Sequence, residues 1–444
     1  MRNYLLASAA LMGLVAASTA QAATFATTDP SRNASAFGAP QTNPEPGKII
    51  VHMGGMVAVD VGVVNNNSDK SSTTTAKLQP YGIAGYFRLY FGMDGKLTNG
   101  MIYGAKSEMR TQFAPAAGGT VGGPSGNSTQ SIWYTRRAYV YLGGDSWGLL
   151  RMGQGDGPLS LFAGSSITTG EAYDTGHWDG DVCDFVANCL SWVFPDVGNE
   201  YDSAKITYMT PKMNGFQAGV SFAPSSVALT GVDNVANAGQ SARQSITVTN
   251  SDTNRPRNYF EIAARYSGNL GPVALDTWAG YWGSGIVGAA PGALSAGVSK
   301  VNGLSIFNWG TSLTYQGFSV FGTINGGNTN GQAGTPRVSL TSGRSKQQQA
   351  GIVGVQYGSG PYTVGTAYYQ VERQGSNGGT GNRTERGFDI GGQYTVVSGL
   401  DFFLGYTYGT IHQNGVNFVD AAGPAAANNK ATTNALIGTM LVRW

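Results

Sequence analysis

Nine carboxylates fall within residues 152–204, a stretch that contains no lysine or arginine: Asp156, Glu171, Asp174, Asp179, Asp181, Asp184, Asp196, Glu200 and Asp202. Ahead of it, Arg88, Arg110, Arg136, Arg137 and Arg151 recur through a region of alternating apolar and polar residues. Charges segregated in this way break no bonds. Brought face to face across a narrow water-filled gap, they would set up a transverse field that orders the water between them. An apolar solute has to disturb that water, whereas a small polar or ionic solute exchanges into it; rings of charge discriminate among solutes by the same electrostatics.

Other chemistry finds little support. His52, His177 and His412 are scattered, and the local pair Asp174–His177 reads as a loop-stabilising contact. G-Q-G-D-G-P at 153–158 lacks the Gly-Lys-Ser/Thr ending of a phosphate loop, and no G-x-S-x-G occurs. We therefore expect no catalytic residue, no cofactor and no metal. Cys183 and Cys189 lie six positions apart; in an exported chain that spacing predicts a small disulfide stapling a loop. A metal site needs more ligands than His177 and these two thiols supply. A net charge of +2 with no Lys/Arg-rich block argues against a nucleic-acid partner.

The elements that must position the charges follow from composition and pattern. Arg2, the short apolar run Leu5 to Ala17 and Ala20-Gln21-Ala22 make a cleavable signal peptide over 1–22, with a mature start at Ala23. Residues 23–47, rich in Thr, Ser, Asn and Pro, read as a flexible lead-in. Glycine takes 67 of 444 positions and charged residues only 12%, about twice and about half the usual shares. No window after Ala22 reaches the ~18 consecutive apolar residues of a helical span. Low charge, many aromatics and no apolar run suit a membrane-embedded sheet, in which every second side chain is apolar.

From Lys48 onward the chain repeats alternating segments of about ten residues separated by Gly, Asn, Ser or Asp. Phe307, Trp309, Leu313 and Tyr315 share one face and Asn308, Ser312 and Thr314 the other; Phe260 and Ile262 oppose Glu261 and Arg265; Phe388, Ile390 and Tyr394 oppose Asp389 and Gln393. About sixteen segments begin near 48, 78, 99, 130, 147, 201, 215, 257, 272, 305, 318, 347, 361, 384, 400 and 431. Tight links such as 143–148 and 397–400 alternate with long polar ones such as 114–129, 225–256, 327–346 and 412–430, as periplasmic turns alternate with extracellular loops. A soluble β-sandwich would share the alternation. Against it stand the continuous strand series and the aromatics near strand ends, Tyr86, Tyr90, Tyr281, Trp282, Tyr406 and Tyr408, which suit two interfacial girdles. In the last segment Leu436, Met440, Val442 and Trp444 share a face.

At this point the chain resembles the general (trimeric, sixteen-stranded) Gram-negative outer-membrane porin family over roughly 48–444. T-R-R-A-Y-V-Y-L-G-G-D-S-W-G-L-L-R-M-G-Q at 135–154 is similar to that family's R-x-A-[FY]-V-x-L-x-G…[FW]-G-x-x-R-x-G-[RQ] strand–turn–strand. The long segment after it and the C-terminal strand extend the likeness; Trp444 stands where the family usually has Phe. The resemblance implies an all-β, transmembrane antiparallel β-barrel of about 16 strands, with 154–200 folded into the lumen as a constriction loop. It implies pore-lining arginines Arg88, Arg110, Arg136 and Arg151 opposite the acids Glu171, Asp174, Asp179, Asp181 and Asp184, and Trp444 as an outer-membrane assembly signal. It further implies a homotrimer among outer-membrane lipid and lipopolysaccharide, passing small hydrophilic solutes and ions. Arg88 opposes Phe87, Leu89 and Phe91, and Arg110 shares a face with Lys106 and Glu108, so both should point inward. Arg136 and Arg137 are adjacent, and a regular strand turns only one of them inward. The family pattern favours Arg136, although alternation alone does not decide. A lipid-facing charge costs roughly 2–4 kcal/mol at mid-bilayer, which would place Arg137 near the membrane edge. Within the channel class the alternative is a substrate-selective channel for sugars or anions; an outer-membrane enzyme or a plugged adhesin barrel are the readings from other classes.

Overall fold

A computed structural model describes residues 42–67, 77–112, 132–167, 185, 203–225, 229, 247–248, 257–289, 300–301, 303–328, 347–374, 380–418 and 428–444. The alternating segments become β1 (Ile49–Asn66), β2 (Tyr81–Lys96), β3 (Ile102–Gln112), β4 (Ile132–Gly144), β5 (Gly148–Gln154), β6 (Ala204–Met209) and β7 (Phe216–Ser225). They continue as β9 (Arg257–Leu270), β10 (Val273–Gly285), β13 (Ser305–Tyr315), β14 (Phe318–Asn328), β15 (Gln347–Ser359), β16 (Tyr362–Gln374), β17 (Thr380–Val397), β18 (Leu400–Asn414) and β19 (Lys430–Arg443). These sixteen described strands form one closed antiparallel barrel, each pairing with its neighbours and β19 returning to β1. Every start lies within a few residues of its sequence-derived position. The sequence reading did not anticipate β8 (Thr247–Val248), β11 (Val287–Ala289) and β12 (Lys300–Val301), which make a small separate sheet, or the helix α1 (Pro158–Ile167).

Alternation sets the two faces. Val59, Val61, Val63, Phe260, Ile262, Phe307, Trp309, Phe388 and Ile390 are exposed on the outside, while Asp60, Glu261, Asn308, Asp389 and Gln393 are buried on the inside. Among the described residues no helix is long and apolar enough to cross a membrane; the strands do the crossing. Closure leaves no unpaired edge. It is completed at the last residue, where Gly55 and Trp444 exchange two backbone hydrogen bonds of 3.1 Å. The Trp444 ring packs outside against Phe87, centroids 5.8 Å apart, and Phe87 in turn meets Trp133 at 5.2 Å. The tight turn 144–148 depends on Gly148, whose φ of 100° and whose approach to the Met209 carbonyl (2.1 Å from where a Cβ would sit) exclude a side chain.

One expectation is corrected. Tyr86, Tyr90 and Trp282 do not belong to an outer girdle. Tyr86 and Tyr90 lie on the inner face with Arg88, packed against the cluster of Met56, Ala58, Phe403 and Leu441, and Trp282 is buried inside against Tyr259. Proximity to a strand end says nothing about which face a ring takes; parity does. The described end of 23–47 is joined to the barrel by hydrogen bonds. Thr42 donates from both its N–H (2.7 Å) and its hydroxyl (2.8 Å) to the buried Asp94 carboxylate, and Gly47 N–H bonds the Lys96 carbonyl at 2.7 Å.

Candidate functional site: the charged inner wall

The inward residues of β2 to β5 form one continuous charged patch. Arg88 on β2 is the register partner of Arg110 on β3. Arg110 binds the Glu108 carboxylate beside it. Between β3 and β4 the register slips: Glu108 pairs with Arg137, whereas Met109 pairs with Thr135. The extra residue is Arg136. A bulge sets two residues against one and re-aims their side chains, so both arginines reach inward. Arg136 Nη1 lies 3.8 Å from Glu108 Oε1, and Arg137 also binds Glu108. The expectation that only one of the two turns inward, with Arg137 near the membrane edge, is therefore overturned, because it assumed an unbroken strand.

Arg137 is buried. It grips Asp156, the first residue of the acidic block, through Nε–Oδ2 at 2.6 Å and Nη2–Oδ1 at 2.8 Å. Burial pushes the Asp156 carboxyl up, but the Arg137 guanidinium and its two hydrogen bonds outweigh that and hold it below the usual carboxylate range. Asp156 thus belongs to the basic wall and does not stand across a gap from it. Arg151 stacks its guanidinium 3.9 Å above the Tyr139 ring, and Arg88 lies 4.3 Å from the Tyr86 ring centroid. Lys106 is buried on the same inner face and feels the charges of both Asp94 and Arg151. Among the described residues the patch holds Arg88, Lys106, Arg110, Arg136, Arg137 and Arg151 against Asp94, Glu108 and Asp156, an excess of basic groups. Sequence reasoning placed Glu108 on one face with Arg110; its contacts with Arg136 and Arg137 depend on the bulge, which leaves no periodic trace.

After Asp156 the chain turns onto the opposite wall. α1 packs on the inner faces of β9, β10, β13 and β14, with Leu159 and Phe162 buried among Trp278, Trp282, Ile306 and Phe321. Glu261 on β9 accepts the Leu159 N–H at 3.2 Å, capping the helix from the wall, and Lys205 Nζ lies 3.6 Å from the same carboxylate. Gly157 and Gly280 make the seat: a Cβ on the first would lie 2.0 Å from Glu261 Oε2, and on the second 2.3 Å from Leu159 Cδ1. Phe185, further along, stands on the inner face of β1 beside Gly62, with Val64, Ala435 and Ile437. Glu171, Asp174, Asp179, Asp181, Asp184, His177, Cys183 and Cys189 lie outside the described residues. Groups of three or more metal-binding side chains do not occur among the described residues.

A family model described as Gram-negative porin matches residues 7–414. The chain belongs to the Gram-negative porin family. The porin is accordingly a passive channel of the outer membrane. Solved structures share its fold. The anion-selective porin from Comamonas acidovorans is 14% identical, with a TM-score of 0.54, covering 89% of this chain and 100% of its own. The outer membrane channel DcaP of Acinetobacter baumannii is 12% identical, with a TM-score of 0.55, covering 89% of this chain and 97% of its own. In-vitro folded OmpT of Vibrio cholerae, in trimer form, is 11% identical, with a TM-score of 0.50, covering 89% and 99%. A search of curated proteins finds no match.

Proposed function

We propose that this porin is a water-filled diffusion channel for small hydrophilic solutes and ions, and carries out no catalysis. Its selectivity is set at a waist where the arginine patch meets the segment after Asp156. The observation that carries the reading is the position of that segment. α1 sits on the β9–β14 wall and Phe185 on the β1 wall, half the barrel's circumference away in strand order. Both stand inside the barrel and take up part of its lumen. In this reading Arg88, Arg110, Arg136 and Arg151 line one side of the waist, and Glu171, Asp174, Asp179, Asp181 and Asp184 stand toward the other. The field between them favours polar solutes and ions over apolar ones. Three such barrels associate through their apolar outer faces, as the trimer form reported for Vibrio cholerae OmpT supports.

A second reading, an anion-preferring channel, is favoured by the excess of basic groups in the described patch. Reversal potentials in a salt gradient test both. Arg88→Ala and Arg136→Ala each remove a positive group at the waist and are expected to move the reversal potential toward that of a cation-preferring pore while leaving the barrel folded. Potentials unchanged in both variants would remove the patch from the permeation path.

A further inference from the structure

Gln154, the last residue of β5, is buried, and both ends of its amide are engaged. Its Nε2 donates to the Arg136 carbonyl at 2.7 Å and to the Thr135 carbonyl at 3.3 Å, and its Oε1 accepts the Leu229 N–H at 3.0 Å. Thr135 and Arg136 stand at the bulge between β3 and β4. In a regular strand successive carbonyls point to opposite neighbours. The extra residue of a bulge lets two in a row meet one amide. The contact falls where the wall loses a strand. β4 and β5 pair from Gly144↔Gly148 up to Ala138↔Gln154, and beyond Gln154 the chain turns inward to Asp156 and α1. Gly153, at a φ of 136° and with no room for a Cβ beside the Ala138 carbonyl, brings β5 close enough for the amide to reach. Leu229, just past the end of β7, reaches Gln154 although β6 lies between β5 and β7 in the wall.

The side chain of Gln154 thus stands in for the strand that has left, and it grips the bulge that sends two consecutive arginines inward. We infer that Gln154 is a positioning residue for ion selectivity: it keeps the bulge in place and so keeps Arg136 in the lumen. Loss of the bulge would restore plain alternation, which turns only one of Arg136 and Arg137 inward. Arg137 is tied to Glu108 and, through two hydrogen bonds, to Asp156, whereas Arg136 stands 3.8 Å from Glu108. Arg136 is therefore the one released. Buried carbonyls stripped of their donor supply the drive, since leaving a buried hydrogen bond unmade costs more than making it gains. This role rests on the reading in which Arg136 lines the waist.

The test is the reversal potential in a salt gradient for the folded protein in planar bilayers, with Gln154→Met alone and combined with Arg136→Ala or with Arg88→Ala. Methionine keeps the length of glutamine and has no proton to donate. Gln154→Met is expected to shift the potential toward that of a cation-preferring pore by at least half the shift of Arg136→Ala, although it removes no charge. Combined with Arg136→Ala it should add almost nothing. Combined with Arg88→Ala, on β2 and outside the bulge, it should add its full shift. Gln154→Asn keeps the amide but draws it back by one methylene; it should shift the potential the same way by less, and it serves where the methionine variant does not refold. An unchanged potential in the folded methionine variant, or in the asparagine variant if only that one refolds, overturns the role. So does an equal added shift with and without Arg136. If Arg136→Ala itself leaves the potential where it was, the waist reading falls and the role with it; a shift with Arg136→Ala and none with Gln154→Met strikes Gln154 alone.

Discussion

Arg137 shows what one side chain contributes at this wall. It is buried between Glu108 and Asp156; without it Glu108 keeps Arg110 and Arg136, but Asp156 loses the guanidinium that holds it, and breaking a buried ion pair costs about 3–5 kcal/mol. Arg137→Ala is therefore expected to lower the urea midpoint of the folded barrel by a corresponding amount, whereas Arg88→Ala, whose loss leaves Glu108 with three other arginines, changes stability far less. Equal midpoints for the two variants would show that Arg137 is not the keystone of the patch. The inner-face positions of Arg88 and Arg110 could be read from their neighbours, because a strand alternates with a period of two. Arg136 and Arg137 could not, since a bulge adds one residue and leaves no periodic trace. Tyr86, Tyr90 and Trp282 were misread for the opposite reason: residue type and position near a strand end were weighed ahead of parity.

At the scale of elements, the strands announce themselves and the helix does not. Each strand carries its own apolar face, visible in ten residues of sequence. α1, Pro-Leu-Ser-Leu-Phe-Ala-Gly-Ser-Ser-Ile, has no clear apolar stripe. It is held by what the wall offers: the Glu261 carboxylate at its first turn, a seat for Leu159 over Gly280, and an apolar cluster that buries Phe162. Most helical stability in proteins comes from such packing, not from local propensity. Leu159→Ala is expected to weaken the seat by about 2–5 kcal/mol, and Gly280→Val to block it. Both should show as added current fluctuation and new sub-levels in single-channel traces at constant voltage, while Glu261→Gln, which keeps the acceptor oxygen, should disturb them less. Traces as quiet as those of the unmodified protein in both variants would mean that the seat does not steady the channel.

For the whole molecule, closure reconciles a polar wall with an apolar surround. Sixteen described strands satisfy their backbone groups among themselves, and the last residue completes the circle through Gly55. Apolar side chains then face outward, and inner ones carry the charged patch. Low charge, abundant glycine and regular alternation made that architecture legible from sequence. The approach of distant segments was not legible in this way: Asp156 on Arg137, Glu261 under α1 and Phe185 on the β1 wall depend on barrel closure, not on local pattern. The central claim is that the lumen conducts. Planar-bilayer recording of the purified, refolded protein tests it most directly. Stepwise, ohmic current increments that scale with salt concentration are the expected result; folded protein that inserts and gives no conductance would contradict the account.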